Sequence, residues 1–229
     1  MTQPLDNLTE KMLQAAKRAG ADAADAMVVR GTSQTIEVRN GALEQAERSE
    51  GIDLGLRVFL GQRSAIVSTS DQRDSTIDEM AVRAMAMAAE APEDPYCGLA
   101  DPADIAAGAN IDALELYDAT PEPTPAALQD DACAAEAAAL QNKGISQVQS
   151  ASAGYSSREV CLAASNGFSG GYKRTDRGLS CVAISGNGTD MERDYDGDSR
   201  IFQSDLRSAE DIGKRAAERA VARAGARKP

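Results

Sequence analysis

One pattern, repeated at a fixed offset, constrains this chain more than any other. Asn40-Gly41 and Asn166-Gly167 lie 126 residues apart, and the pairs Gly51/Gly178 and Gly61/Gly188 lie 127 apart. Asn-Gly tolerates positive φ at both positions and marks a tight hairpin. Around each Asn-Gly the order helix, strands, turn, strands, helix recurs. The expectation is an α+β fold of two α–β(meander)–α units, with antiparallel sheets packed against helices.

The elements follow from periodicity. Leu5, Leu8, Met12, Ala15, Ala16 and Ala19 recur at helical spacing and predict a helix over Asn7–Ala19, with Asn7 and Glu10 as a capping box and Gly20 as its stop. Ile36 and Val38 alternate with polar residues before Asn40-Gly41. Ile52, Leu54, Leu56, Val58 and Leu60 then share one strand face, and Gly61-Gln62 turns the chain into Arg63–Thr69. A second helix is predicted over Ser75–Ala89, capped by Ser75 and Asp78. Thr124-Pro125 opens a third, running to about Asn142. Strands are predicted near Ser146–Tyr155, Glu159–Ala164, Phe168–Arg174 and Leu179–Ser185. A last helix spans Ala209–Ala224, capped by Ser208 and Asp211.

Six of the eight prolines fall between Pro92 and Pro125. The expected organisation is therefore an N-terminal domain over 1–92, a Pro/acid-rich linker over 93–123 and a second α+β domain over 124–229.

Composition excludes several kinds of chemistry. Among 229 residues there is no His, which removes Ser–His and Cys–His catalysis, His-ligated metals and the usual pH switch. The net charge of −12 argues against direct nucleic-acid binding and against anionic membranes. Cys97, Cys133, Cys161 and Cys181 show no C-x-x-C spacing and read as reduced, mostly buried thiols, with a Cys161–Cys181 contact across adjacent strands left open. No apolar run approaches 18 residues and the N-terminus has no signal-peptide pattern, so the expectation is a cytoplasmic protein.

The acidic run Asp190–Arg200 contains Asp194-x-Asp196-x-Asp198. A calcium loop would need Gly where Ser199 stands and Glu where Asp205 stands, so a solvated or partner-facing loop is the expected reading. Asn166-Gly167-Phe168-Ser169-Gly170-Gly171 is followed by strand signals rather than a helix, which makes it a hairpin turn and not a phosphate cradle. Glu44 with Glu47, and Asp130 with Asp131, read as solvated carboxylates.

Several stretches, taken in order, resemble the N-terminal region of the TldD/TldE family, in which TldE is also called PmbA. They are Val38–Glu44, Glu50–Val58, Ser68–Asp71, Glu93–Pro95, Ser165–Phe168, Asp190–Tyr195 and Ile212–Ala220. The resemblance leans to the TldE/PmbA side. It implies a heterodimeric bacterial metalloprotease that trims unfolded peptides. Its zinc lies in a His-Glu motif of the TldD-like partner's C-terminal domain, and this chain holds no cofactor, catalytic residue or metal ligand. The family has also been described as modulators of DNA gyrase, which keeps an acidic regulatory module as the alternative. Family members are about twice as long, so the expectation is an N-terminal portion lacking the C-terminal domain. The residues expected to face a partner or peptide are Asn166, Gly167, Phe168, Asp190, Arg193, Asp194 and Tyr195.

Overall fold

Four helices and six strands account for most of the chain in a computed structural model that describes residues 4–105 and 110–225. The order is α1 (Leu5–Arg18), β1 (Ala23–Arg39), β2 (Ala42–Leu60), β3 (Arg63–Thr69), α2 (Asp74–Glu90), α3 (Pro125–Leu140), β4 (Ile145–Ala164), β5 (Ser169–Ser185), β6 (Glu192–Arg200) and α4 (Ala209–Ala222). The strands form a six-stranded antiparallel sheet in the order β3-β2-β1-β4-β5-β6. This is the expected α+β class.

The chain divides into two compact units that are interleaved rather than sequential. Unit 1 takes residues up to Gly31, Glu50–Leu114 and Arg158–Lys173. Unit 2 takes Thr32–Ser49, Glu115–Ser157 and Arg174 onward. The sequential blocks 1–92 and 124–229 differ from these because β1, β2, β4 and β5 are each long enough to serve both units. Continuous strands also replace the shorter pairs expected at 146–164 and 168–185. The in-out alternation of β4 falters between Ser156 and Val160, where the strand leaves one unit for the other.

Unit 1 has an aliphatic core. Leu8 and Met12 of α1, Ile77 and Met80 of α2, and Leu54, Leu56 and Val58 of β2 are all buried. Full burial of such side chains is worth about 1.5–3 kcal/mol each. The helix caps differ from expectation. Helix α1 starts at Leu5 with Pro4 at the N-cap position, where no side chain caps it, and no capping-box bond forms at Asn7. Before α2, Asp71 rather than Ser75 organises the turn, accepting from Arg73 N at 3.0 Å and Thr76 Oγ1 at 2.9 Å.

Unit 2 is built from small residues. Ala132, Ala135 and Ala139 of α3 face Ile212, Gly213, Ala216, Ala217 and Ala220 of α4. The helices approach so closely that a Cβ at Gly213 would lie 2.0 Å from Ala135 O. Thr124 and Ser208 cap these helices as expected, accepting from Ala127 N and Asp211 N. Strand β6 replaces the expected acidic loop. Its inward positions hold aspartates rather than apolar residues, so it lacks the hydrophobic alternation that marks a strand.

All four cysteines are free. Cys161 lies against Asp6 and Thr9 in unit 1 and Cys181 against Ala135 in unit 2, so they do not pair. Burial, with an added hydrogen bond to Asp6, pushes the Cys161 thiol up to about 11. Burial pushes Cys181 up to about 12. Among the described residues, no helix is long and apolar enough to cross a membrane.

Candidate functional site

Unit 2 offers an uncovered sheet face and two sheet edges. On β5 the residues Thr175, Arg177, Leu179, Cys181, Ala183 and Ser185 are buried, while the alternate positions are half-exposed. The outward positions form a shallow trough of about 500 Å³. Its floor is almost free of side chains, because Gly154, Gly178 and Gly197 lie there with the hydroxyls of Thr35, Ser152, Ser180 and Ser199, and Tyr195 stands beside them. A Cβ at Gly197 would come within 3.2 Å of Leu179 O, and one at Gly154 within 3.3 Å of Gln34 O. Glycine keeps this floor flat. Leu179 and Asp198 complete the lining, the Asp198 carboxylate being paired with Arg200, so the trough joins apolar surface to hydroxyls and suits an extended chain better than acid–base work.

Below the floor, Arg177 is buried and donates to Gly154 O at 3.0 Å and Gly178 O at 2.7 Å, while pairing with Asp131. Asp131 keeps a half-exposed carboxylate, as expected, and also serves as the ion-pair partner of the buried Arg177.

The acidic run is the inner side of β6. Asp194 pairs with Arg223 at 2.5 Å, and Asp196 with Arg219 at 3.1 Å and Arg207 at 2.7 Å. Asp198 pairs with Arg200 at 3.1 Å. Asp196 is only 6% exposed. Its Oδ2 makes the Arg207 ion-pair contact without hydrogen-bond geometry, and charge attraction is what compensates its burial. The Arg223 guanidinium holds the Asp194 carboxyl below the usual carboxylate range. For Asp198, burial works upward but is outweighed by the Arg207 backbone N–H and the Arg200 side chain, and the net direction is down. These carboxylates are neutralised by arginines and do not form a cation loop.

The same side chains close the free edge of β6. Tyr195 N donates to Asp194 Oδ1 at 2.8 Å and Ser199 N to Asp198 Oδ1 at 3.1 Å. Arg219 donates to Tyr195 O at 2.9 Å and Arg207 to Gly197 O at 2.8 Å. In an antiparallel strand these alternate residues point their backbone groups away from β5.

At the other side of unit 2, the β1–β2 turn is held by a buried anion. Asn40 and Gly41, with φ of 55° and 70°, direct their N–H groups at Glu136 of α3, which accepts them at 2.6 and 2.7 Å. Glu136 is 2% exposed. It was not singled out from the sequence, although it is the one acidic residue on the buried Leu128/Ala132/Ala135/Ala139 stripe.

The partner-facing residues expected from the sequence fall into two groups that belong to different units. Asn166, Gly167 and Phe168 form the β4–β5 turn of unit 1, with Gly167 at φ 96°. Asn166 accepts from Phe168 N at 3.2 Å and donates to Ala100 O at 2.9 Å. In unit 2, Asp190 is exposed in the β5–β6 connection, Arg193 donates to Gln149 at 3.0 Å, Asp194 is committed to Arg223, and Tyr195 is 63% exposed beside the trough. Unit 1 also has a cleft of about 450 Å³ beside Glu10, Lys17, Asp22 and Ser165.

Among the described residues, no group of three His, Cys, Asp or Glu is placed to hold a metal ion. The donor set does not fit a metallopeptidase centre, since there is no His and the clustered aspartates are ion-paired.

Comparison with known proteins follows this architecture closely. Residues 24–88 match the family model for PmbA/TldA metallopeptidase domain 1, and residues 118–224 match that for the PmbA/TldA metallopeptidase central domain. The chain is 30% identical over 209 residues to metalloprotease PmbA of Escherichia coli O157:H7, covering 91% of this chain and 46% of that protein. It is 31% identical over 227 residues to a PmbA homolog of Haemophilus influenzae, covering 96% and 48%. It spans about half the length of these relatives. Two crystal structures share the fold. One is a candidate modulator of DNA gyrase from Bacteroides thetaiotaomicron, with TM-score 0.90 and 24% identity over 100% of this chain and 52% of that one. The other is TldE from Thermococcus kodakarensis, with TM-score 0.73 and 17% identity over 93% and 47%. Both N-terminal domain models match in order, and two curated metalloproteases align over almost the whole chain: this protein belongs to the TldD/TldE (PmbA) metallopeptidase family.

Proposed function

We propose that the chain is the N-terminal, peptide-handling part of a TldE/PmbA-type subunit that contributes no catalytic metal. It would act in the cytoplasm with a zinc-bearing TldD-like partner on unfolded peptides. The observation that carries this reading is the pairing of every clustered aspartate of β6 with arginine, beside a flat, hydroxyl-lined trough. Those carboxylates stabilise a sheet edge and are unavailable for hydrolysis, while the trough suits an extended chain.

The test is a reconstitution with a TldD-like subunit and an unfolded peptide. The expected result is no cleavage by this chain alone and chelator-sensitive cleavage by the pair, with zinc stoichiometric to the partner. Cleavage by this chain alone would overturn the reading. The acidic regulatory alternative draws on the net charge and on the gyrase-modulator description of the Bacteroides protein. Unchanged supercoiling by gyrase at high molar excess of this protein would remove it.

A further inference from the structure

The two sheet edges of unit 2 are treated in opposite ways. The outward backbone of β6 is capped by Asp194, Asp198, Arg207 and Arg219. The edge formed by Ala42–Ser49 of β2 is built differently: among the described residues Arg48 pairs with Glu122 and Glu44 with Arg39 rather than with the outward backbone of the strand. Strand β3 lies opposite Leu54–Leu60 alone, so among the described residues this stretch pairs only with β1. Every residue from Ala42 to Ser49 is exposed. The two-residue turn makes Arg39 and Ala42 the first hydrogen-bonded pair of the hairpin, which leaves the N–H and C=O groups of Leu43, Gln45, Glu47 and Ser49 pointing away from β1.

Three properties suit this edge to a strand partner. Its residues are mainly Ala, Leu, Glu and Gln, which favour helix, so its extended form depends on pairing and gains from a second partner. Glu136 anchors the turn and fixes where the edge begins. The charge leans acidic: Glu44, which pairs with Arg39 at 3.6 Å, and Glu47 stand against Arg48, which is ion-paired with Glu122. A second copy of the edge would bring like charges together.

We propose that Ala42–Ser49 is a docking edge that captures a cationic, extended peptide segment as an added strand. The proposal rests on the peptide-handling reading above and gives that activity a location. Eight residues span about 26 Å, enough for a partner of similar length whose alternate basic side chains lie on the face that carries Glu47.

The test uses the whole chain and labelled peptides acetyl-TKVKVKT-amide, acetyl-TQVQVQT-amide and acetyl-TEVEVET-amide, read by fluorescence anisotropy and by amide exchange. The variants are Glu47→Pro, which removes an outward donor while keeping the β1 ladder, and Glu47→Lys, which keeps the backbone and reverses the charge. The expected result is preferential binding of the basic peptide and exchange protection over residues 42–49. Each variant should weaken binding by about tenfold or more, with unchanged melting temperature, and Glu47→Lys should shift preference to the acidic peptide. Basic-peptide binding that neither variant changes would overturn the edge while leaving peptide handling intact. Binding of none of the three peptides would overturn both. Self-association abolished by Glu47→Pro, without peptide binding, would assign the edge to a second copy and overturn the proposal.

Discussion

Replacing Glu136 with Gln is the sharpest probe of unit 2. The carboxylate is buried and receives two backbone N–H groups at 2.6 and 2.7 Å from a turn whose residues both have positive φ. Hydrogen bonds to a charged group contribute about 1.5–3 kcal/mol each. Glutamine keeps the shape and one acceptor, but it sets an NH₂ group against the second backbone donor. The turn is exposed, so its freed N–H regains some water, and the net cost is about 2 kcal/mol. For a chain of this size that lowers the melting temperature by about 4–8 °C. Hydrogen exchange at Asn40 and Gly41 should accelerate about 30-fold if opening follows the full loss, and Leu43–Ser49 should follow. A melting shift below about 1 °C with unchanged exchange would refute the reasoning, because water would then hold the turn as well as Glu136 does.

Gly213→Ala should be severely destabilising, by about 3 kcal/mol or more, since its Cβ would lie 2.0 Å from Ala135 O and α3 must shift; denaturant titration reads it. The double variant Arg207→Ala/Arg219→Ala should free the carbonyls of Tyr195 and Gly197 and strand the Asp196 charge. It should both lower stability and produce concentration-dependent association by light scattering, and a monomer at all concentrations would contradict the capping role. Hydrogen bonds from Thr120 and the backbone N–H of Gln203 hold the buried Asp118 carboxyl low, and Arg223 does the same for Asp194. A folded-state value below the unfolded one near 3.9 contributes stability that is complete above about pH 5 and is lost as pH falls through the folded value. Asp118→Asn should flatten the acid limb of a stability-against-pH curve, and an unchanged limb would count against this assignment.

Much of the fold was legible where burial is apolar and periodic. The Ile52–Leu60 alternation, the Asn40-Gly41 turn and the Thr124 and Ser208 caps stand as the sequence indicates, whereas Asn166-Gly167 sits in a longer turn in which the glycine, and not the asparagine, has positive φ. Legibility failed where charge does the work of an apolar side chain. Strand β6 was hidden because Asp194, Asp196 and Asp198 occupy its inward positions, and their arginine partners come from later in the chain. Glu136 was hidden because its partners are backbone groups about 95 residues away, which no local pattern reveals. The interleaved units were hidden because a long strand changes its neighbours midway without changing its own conformation.

That interleaving has a consequence for the order in which the chain acquires its structure. Thr32–Ser49 belongs to a unit whose next segment begins at Glu115. At about 5–20 residues per second, those 65 intervening residues take the ribosome roughly 3–13 s to add. During that time Ile36 and Val38 have no α3 or α4 to cover them, and the turn at Asn40-Gly41 has no Glu136. Unit 1 likewise waits for Arg158–Lys173 before its sheet is complete. Neither unit can close behind the other as synthesis proceeds, so this region of the protein matures late and together, with exposed hairpins as the species that chaperones would meet.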